Sequence, residues 1–159
     1  MTEPAVPVTL ASGANDVVAR PQGCTNLKLR RLARVVGRHY DAELLAGAGI
    51  TAPQYSLLSQ VVHAGPMRPS DLAQALTLTP SSLTRNLQPL VERGWLEVQP
   101  GVDGRSRLVV ATEAGRAHRA SAKAAWKAAQ LDLNDRLGPE LVAQLHQILD
   151  DCTRLIESR

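Results

Sequence analysis

The sequence is poor in aromatic residues and in cysteine, and it lacks a long apolar run. It contains no Phe, two Trp, two Tyr and two Cys. Because Cys24 and Cys152 lie far apart, they exclude a disulfide framework and offer no metal-ligand spacing, and no metal site is expected. No stretch of about 18 apolar residues is present, so no membrane partner or transmembrane helix is expected. The N-terminus has no basic region typical of a signal peptide, and a cytoplasmic protein is predicted.

A strong excess of charge of one sign is also missing. The chain has 18 Lys and Arg against 15 Asp and Glu, a net charge of +3 over 159 residues. This balance excludes a histone-like polycation but suits a protein that contacts DNA through a few placed arginines. We also find no nucleophile beside a base, no phosphate-binding glycine loop and no paired carboxylates in a plausible site, since the adjacent Asp150 and Asp151 point apart on a helix. An enzyme is therefore not predicted, and no cofactor is expected.

The most informative stretch runs from Ser70 to Thr112 and begins with two short helical patterns. The first helix is predicted at Ser70–Leu76. The second opens on Thr79 as an N-cap, followed by Pro80 at the first helical position, where its missing N–H costs nothing. Gly94 is predicted to end this helix. Two helices joined by so short a turn are typical of a helix-turn-helix.

One face of the second helix is polar in a way that suits a major groove. Short hydrogen-bonding side chains and one arginine share this face, opposite the leucines. The predicted DNA-contacting residues of the helix are Ser81, Ser82, Thr84, Arg85, Asn86 and Gln88.

Two short β patterns follow the second helix, at residues 95–98 and 108–111, and predict a hairpin. Its tip carries Arg105 and Arg107, which form a cationic finger suited to a narrow minor groove. Asp103 is placed to hold Arg105 through a charge-assisted hydrogen bond. Helix, turn, helix and hairpin in this order predict a winged helix-turn-helix.

Long amphipathic helices are predicted on both sides of this module, giving a mainly α fold of order α-α-α-α-β-β-α-α. We expect a flexible arm at 1–20 and a single domain at 21–159. Within that domain, the winged helix-turn-helix covers about 52–112, and dimerisation helices cover about 24–46 and 113–157. The outer helices are too apolar for linkers, and a second copy of the chain is the simplest cover for them. A homodimer also matches a palindromic operator in double-stranded DNA.

Glycine and alanine positions predict where the first outer helix ends and which face of the helix after the wing packs. Gly47 and Gly49 are predicted to end the first helix. In the helix after the wing, small residues predict a seam for close helix packing, with Trp126 off it. The predicted seam is Ala114, Ala117, Ser121, Ala124, Ala128 and Leu131.

The chain resembles the MarR family of bacterial transcriptional regulators. The resemblance rests on segments in this order: Gly49–Leu58, Ser70–Ala73, Ser82–Arg85, Gly94–Leu96, Asp103–Arg107 and Thr112–Gly115. It implies a triangular, mainly helical homodimer that represses transcription by binding an operator and is released by a small ligand or by oxidation. It further implies that Arg105 enters the minor groove and that residues 81–88 lie on the recognition helix.

The resemblance implies an effector such as an aromatic acid or a phenol, bound where the dimerisation helices meet the winged module. A carboxylate at that place needs a cation and a flat apolar wall. The candidate ligand-binding residues are Arg31, Arg34, Arg38, His39, Tyr40, Tyr55, His63 and Trp126.

Oxidation at Cys24 is the alternative sensing mode. A helix N-terminus and the nearby Arg20 and Lys28 favour the thiolate of Cys24. Peroxide sensors of this family carry a reactive cysteine at this place. The match is incomplete, because Ala52 stands where those sensors usually have a tyrosine. The small-molecule mode is the preferred hypothesis.

Overall fold

A computed structural model of the chain describes residues 22–101 and 104–158. It contains, in order, α1 (Thr25–Ala48), α2 (Ala52–Ala64), α3 (Pro69–Ala75), α4 (Pro80–Glu92), β1 (Leu96–Pro100), β2 (Arg107–Ala111), α5 (Glu113–Leu137) and α6 (Pro139–Glu157). The predicted fold class is confirmed in element order and in type. The predicted N-terminal arm lies outside the described residues, as does Asp103. No helix in the described ranges is long and apolar enough to cross a membrane.

The long helices α1 and α5 pack closely because a glycine faces an alanine between them. A Cβ added at Gly47 would lie 2.8 Å from the Cβ of Ala125. The prediction that Gly47 ends α1 is therefore wrong, because this glycine lies inside the helix at its contact with α5. Gly49 is the C-cap, with a φ of +61° that favours glycine.

The predicted seam of α5 is also wrong. The buried positions of this helix are Gly115, Ala122 and Ala129. Ala114 and the other residues of the predicted seam are exposed, Leu131 among them at 52%. Alanines occupy every face of this helix, so periodicity alone does not identify the face that packs.

The core of the winged module is aliphatic and lies between α2, α3, α4 and the hairpin. Its fully or nearly fully buried side chains are Leu57, Leu58, Val61, Leu72, Leu83, Leu90, Leu96 and Val109. The apolar stripe of α4 thus faces inward, which leaves the polar face of that helix outward.

The hairpin has five antiparallel pairs, from Leu96 opposite Ala111 to Pro100 opposite Arg107. The predicted β patterns, at residues 95–98 and 108–111, therefore end too early at the tip, because Gln99, Pro100 and Arg107 are also paired. Met67 forms an isolated bridge to Val109, with N–O distances of 3.2 and 2.8 Å. This bridge attaches the segment before α3 to the outer edge of β2.

Hydrogen bonds of the Thr112 hydroxyl and a close approach of Gly115 to Trp95 join the start of the hairpin to the start of α5. The Thr112 hydroxyl donates to the Gly94 carbonyl at 2.7 Å and accepts from the Gly115 N–H at 3.0 Å. A Cβ added at Gly115 would lie only 1.9 Å from the carbonyl oxygen of Trp95. The absence of a side chain at position 115 therefore lets α5 begin directly against the α4–β1 corner.

The outer helices leave apolar side chains uncovered by the described residues. On α6, Ile148 is 58% exposed and Ile156 is 75% exposed, and on α1, Leu27 is 63% exposed. An apolar cavity of about 370 Å³ lies between α1, α5 and α6.

Candidate nucleic-acid interface

The helix α4 begins at a well-made cap. The Thr79 hydroxyl accepts from the backbone N–H of Ser82 at 3.2 Å and donates to the Ser82 hydroxyl at 2.9 Å. Pro80 stands at the first helical position, as predicted. This cap ties down the first turn of the helix, which is the turn that a recognition helix presents to base edges.

Of the six predicted DNA-contacting residues of α4, two are partly buried and four are exposed. Ser82 and Asn86 are partly buried, and the Asn86 amide donates to the Ser82 carbonyl at 2.9 Å. The exposed ones are Ser81, Thr84, Arg85 and Gln88. Arg85 forms no ion pair with any described residue, so its guanidinium is available for a base edge or a phosphate.

The wing carries its two arginines on exposed positions. Arg107 is the first residue of β2, and Arg105 follows Gly104 in the tip. The tip is held by a hydrogen bond from the Gly101 N–H to the Ser106 carbonyl at 2.8 Å, and Gly104 has a φ of +67°. The predicted pairing of Asp103 with Arg105 falls outside the described residues.

Two of the predicted ligand-binding residues come together between α2 and α5. The rings of Tyr55 and Trp126 are stacked, with centroids 6.2 Å apart and planes 20° apart. They form one end of a groove of about 280 Å³ whose other lining residues are polar: Ser56, Ser59, Arg119 and Lys123. We call it the α2–α5 groove.

Sequence reasoning missed the two cations of the α2–α5 groove. Arg119 and Lys123 are one turn apart on α5, and the Arg119 Nε donates to the Ser59 hydroxyl at 3.4 Å. Neither cation forms an ion pair with a described carboxylate. The available signal was the pair of like charges at i and i+4, a spacing that is unfavourable without an anion nearby.

The remaining ligand candidates do not line this groove. Arg31, Arg34 and Arg38 are exposed on α1, and His63 is exposed in the last turn of α2.

His39 and Tyr40 connect α1 to α5. The His39 Nε2 is 2.8 Å from the Ala129 carbonyl oxygen and 3.6 Å from a carboxylate oxygen of Asp132. The Tyr40 hydroxyl donates to the side-chain oxygen of Gln130, and burial raises the pKa of this phenol. These contacts belong to the packing of the two long helices.

The alternative sensor residue, Cys24, is exposed and free at the N-cap of α1. Its carbonyl accepts from the backbone N–H of Lys28 at 3.1 Å, which starts the helix. Within 22–101 and 104–158, no group of three or more His, Cys, Asp or Glu side chains is placed to hold a metal ion.

The capped helix with its outward polar face and the arginine-bearing hairpin define a winged helix-turn-helix protein. The model of the MarR family matches residues 48–106. The structure of the M. tuberculosis transcriptional regulator MosR in complex with DNA is 30% identical, with a TM-score of 0.66, and the match covers 82% of this chain and 98% of that one. The chain belongs to the MarR family.

Two curated proteins are similar over part of their length. The multiple antibiotic resistance protein MarR of Escherichia coli is 35% identical over 95 residues, which is 57% of this chain and 66% of that protein. An uncharacterized HTH-type transcriptional regulator of Bacillus subtilis, YwoH, is 29% identical over 86 residues, which is 54% of this chain and 62% of that protein. The chain thus spans slightly less than two thirds of both relatives.

Proposed function

We propose that this protein is a DNA-binding transcriptional regulator that represses its target by binding a palindromic operator as a homodimer. This proposal rests mainly on the exposed polar face of α4, where Arg85 forms no ion pair with a described residue, beside an arginine-bearing wing. Relatives described as transcriptional regulators, one of them crystallised with DNA, support the same proposal and agree with the prediction that the chain is not an enzyme.

The proposed second copy rests on the uncovered apolar side chains of α1 and α6. Ile148, Leu155 and Ile156 are each more than half exposed on α6, and the cavity between α1, α5 and α6 is apolar. Burying such a face against its own copy removes this surface from water and sets the spacing of two recognition helices.

Arg85→Ala and Arg105→Ala are expected to weaken binding to the DNA upstream of the protein's own gene, with little change in thermal stability. A base contact by either arginine would cost about 1–3 kcal/mol of binding free energy and relax specificity, whereas a phosphate contact would lower affinity equally for random DNA. Gel-shift titrations of both DNAs over a range of salt concentrations measure this. The matched control is Arg136→Ala, which removes the same charge from the end of α5, where it pairs with Asp132.

Two results would contradict the proposal. The first is a wild-type complex that is absent, or insensitive to salt, at micromolar protein, because phosphate contacts release counterions. The second is an Arg136→Ala variant as impaired as Arg85→Ala, which would mean that overall charge, not the α4 face, holds DNA.

The proposed effector is a small aromatic acid or a phenol bound in the α2–α5 groove. Arg119 and Lys123 supply positive charge that no described carboxylate pairs with, and the stacked rings of Tyr55 and Trp126 supply a flat wall. A carboxylate between the two cations relieves their repulsion and receives charge-assisted hydrogen bonds. The groove joins a helix of the winged module to a dimerisation helix, so its occupant acts on their relative position.

The double variant Arg119→Gln/Lys123→Gln is expected to lose the rise in melting temperature that a benzoate ligand gives the wild type. A ligand at one hundred times its dissociation constant adds about 2.7 kcal/mol to the free energy of unfolding, which a thermal-shift assay detects. Lys127→Gln, which removes one positive charge one turn farther along α5, is expected to retain the rise. Equal loss in all variants would show that the ligand responds only to net charge.

Oxidation of Cys24 is the second candidate for the signal that releases the protein from DNA. The exposed, free thiol of Cys24 supports this candidate, because an oxidant can reach it. The same gel shifts, repeated after peroxide treatment with wild type and Cys24→Ser, separate the two modes. Peroxide release that is lost in Cys24→Ser would favour oxidation over the aromatic ligand.

A further inference from the structure

An aromatic stack joins the end of the recognition helix to α5. The rings of Trp95 and His118 have centroids 3.6 Å apart and planes 12° apart. The Arg93 guanidinium lies 5.0 Å from the Trp95 ring centroid, and its Nη1 donates to the Gly49 carbonyl at 2.6 Å. The end of α4, the start of the hairpin, α5 and the α1–α2 loop therefore meet at one place, which we call the Trp95 corner.

The Trp95 corner is suited to a neutral His118 ring and poorly suited to a charged one. The His118 Nε2 atom is buried, and no described residue forms a hydrogen bond with it. A proton added there would create a buried N–H without an acceptor, which is costly. Burial lowers the pKa of His118, the nearby charge of Arg93 lowers it further, and a hydrogen bond with the Ala48 backbone opposes both.

The groups that face the His118 ring from the other elements offer no negative charge. Arg93 at the end of α4 is a cation, Trp95 beside β1 is neutral, and α1 contributes the Ala48 backbone. Among the described residues, no carboxylate forms an ion pair with His118. An imidazolium at this place would therefore meet a like charge and a buried unpaired N–H together.

We propose that His118 is a positioning residue for DNA binding, and that it holds the recognition helix against α5 only as the neutral ring. Proton uptake on mild acidification loosens the stack on Trp95, frees the end of α4 and weakens DNA binding. The DNA part of this proposal rests on the proposed function, whereas the proton-dependent stack does not.

The pH window follows from the direction of the pKa shift. The folded-state pKa of His118 lies below that of the unfolded chain, so the unfolded chain binds more protons at mildly acidic pH. The stability contributed by the neutral ring is fully present above the ordinary value of about 6.5. It is lost as the pH falls from that value toward the folded-state pKa.

The first experiment measures the stack without DNA. The chain has two tryptophans, so Trp126→Phe leaves Trp95 as the only indole. Because proton uptake loosens the contact between the His118 ring and the Trp95 indole, the tryptophan emission of this variant is expected to change reversibly on acidification, with a midpoint below about pH 6.5. Adding His118→Phe, which keeps a ring in the stack but cannot titrate, is expected to abolish the transition. Two results would overturn the proposal: a transition that survives in Trp126→Phe/His118→Phe, or the absence of a transition in Trp126→Phe, which keeps His118.

The second experiment measures DNA binding at about pH 5.5 and about pH 7.5, on either side of the ordinary histidine range. In gel shifts, the dissociation constant of the wild type is expected to rise severalfold more on acidification than that of His118→Phe. His63→Gln, which removes an exposed histidine of α2, is expected to follow the wild type. His118→Gln is a second non-titrating variant should the phenyl ring fail to fold, with circular dichroism at both pH values as the check on folding.

The outcomes separate proton uptake at the Trp95 corner from its coupling to DNA binding. If the dissociation constant rises by the same factor on acidification in the wild type and in the folded His118 variants, the coupling to DNA is overturned, even if the fluorescence transition is present. If the wild type binds no DNA at any pH, the proposed function and the coupling both fail, and the fluorescence titration still decides whether the Trp95 corner takes up a proton.

Discussion

Gly115→Ala is expected to lower the free energy of unfolding by about 3 kcal/mol, near the upper end of what overpacking in a core usually costs. The added Cβ would lie 1.9 Å from the Trp95 carbonyl oxygen and 2.8 Å from its carbonyl carbon. Both atoms are backbone, so a side chain cannot simply rotate away. Either α5 or the α4–β1 corner must move, and the hydrogen bonds of Thr112 at the same place move with it. Chemical denaturation of the purified variant measures the loss.

Gly37→Ala is the matched control, since it makes the same substitution inside another long helix. A Cβ at Gly37 would meet nothing within 4 Å in the described chain. Alanine there is expected to raise the free energy of unfolding by about 0.5–1 kcal/mol, because it restricts the unfolded chain. Similar effects of the two substitutions would show that helix propensity, and not the contact with Trp95, determines the result at position 115.

Ile148→Asp is expected to convert the proposed dimer into a folded monomer and to abolish operator binding. Ile148 is 58% exposed in the single chain, so a carboxylate there leaves the monomer fold intact. In a dimer, each copy would bury an unpaired charge in an apolar interface, and a cost of about 3 kcal/mol already weakens the dimer about a hundredfold. Light scattering coupled to gel filtration gives the mass, and a gel shift gives the loss of DNA binding.

Ala143→Asp separates the effect of the interface from that of an added charge. Ala143 is also exposed on α6 but lies on the opposite side of the apolar stripe. This variant is expected to remain dimeric and to bind DNA. An Ile148→Asp variant that stays dimeric and operator-specific would refute the proposed use of α6.

The elements that local chemistry determines were predictable from the sequence. Thr79 and Pro80 begin α4, and Thr112 caps α5, because a hydroxyl that accepts a backbone N–H and a proline with a preset φ act within one turn. The polar face of α4 followed from its leucines, whose spacing leaves one side free. The exposed residues of that face remain predictions as DNA contacts.

Features that depend on how distant segments meet were beyond such reasoning. Gly47 and Gly49 look alike in sequence, but Gly47 lies inside α1 at its contact with Ala125, whereas Gly49 caps the helix. His39 looked like a ligand-binding residue, although its acceptor belongs to Ala129, 90 residues later. The cations at 119 and 123 left only the weak signal of like charges at i and i+4, and the α2–α5 groove that they line exists only once those two helices pack.

The Met67 bridge to β2 also covers a strand edge that could otherwise pair with strands of other molecules. A two-stranded hairpin normally presents two edges whose free N–H and C=O groups invite pairing with strands of other molecules. In this wing, the outer edge of β2 is occupied at Val109 by the segment before α3. The outer edge of β1 ends on Pro100, which has no N–H to donate, and carries the charge of Glu97. The hairpin that is proposed to reach into DNA is therefore protected on both sides against edge-to-edge aggregation.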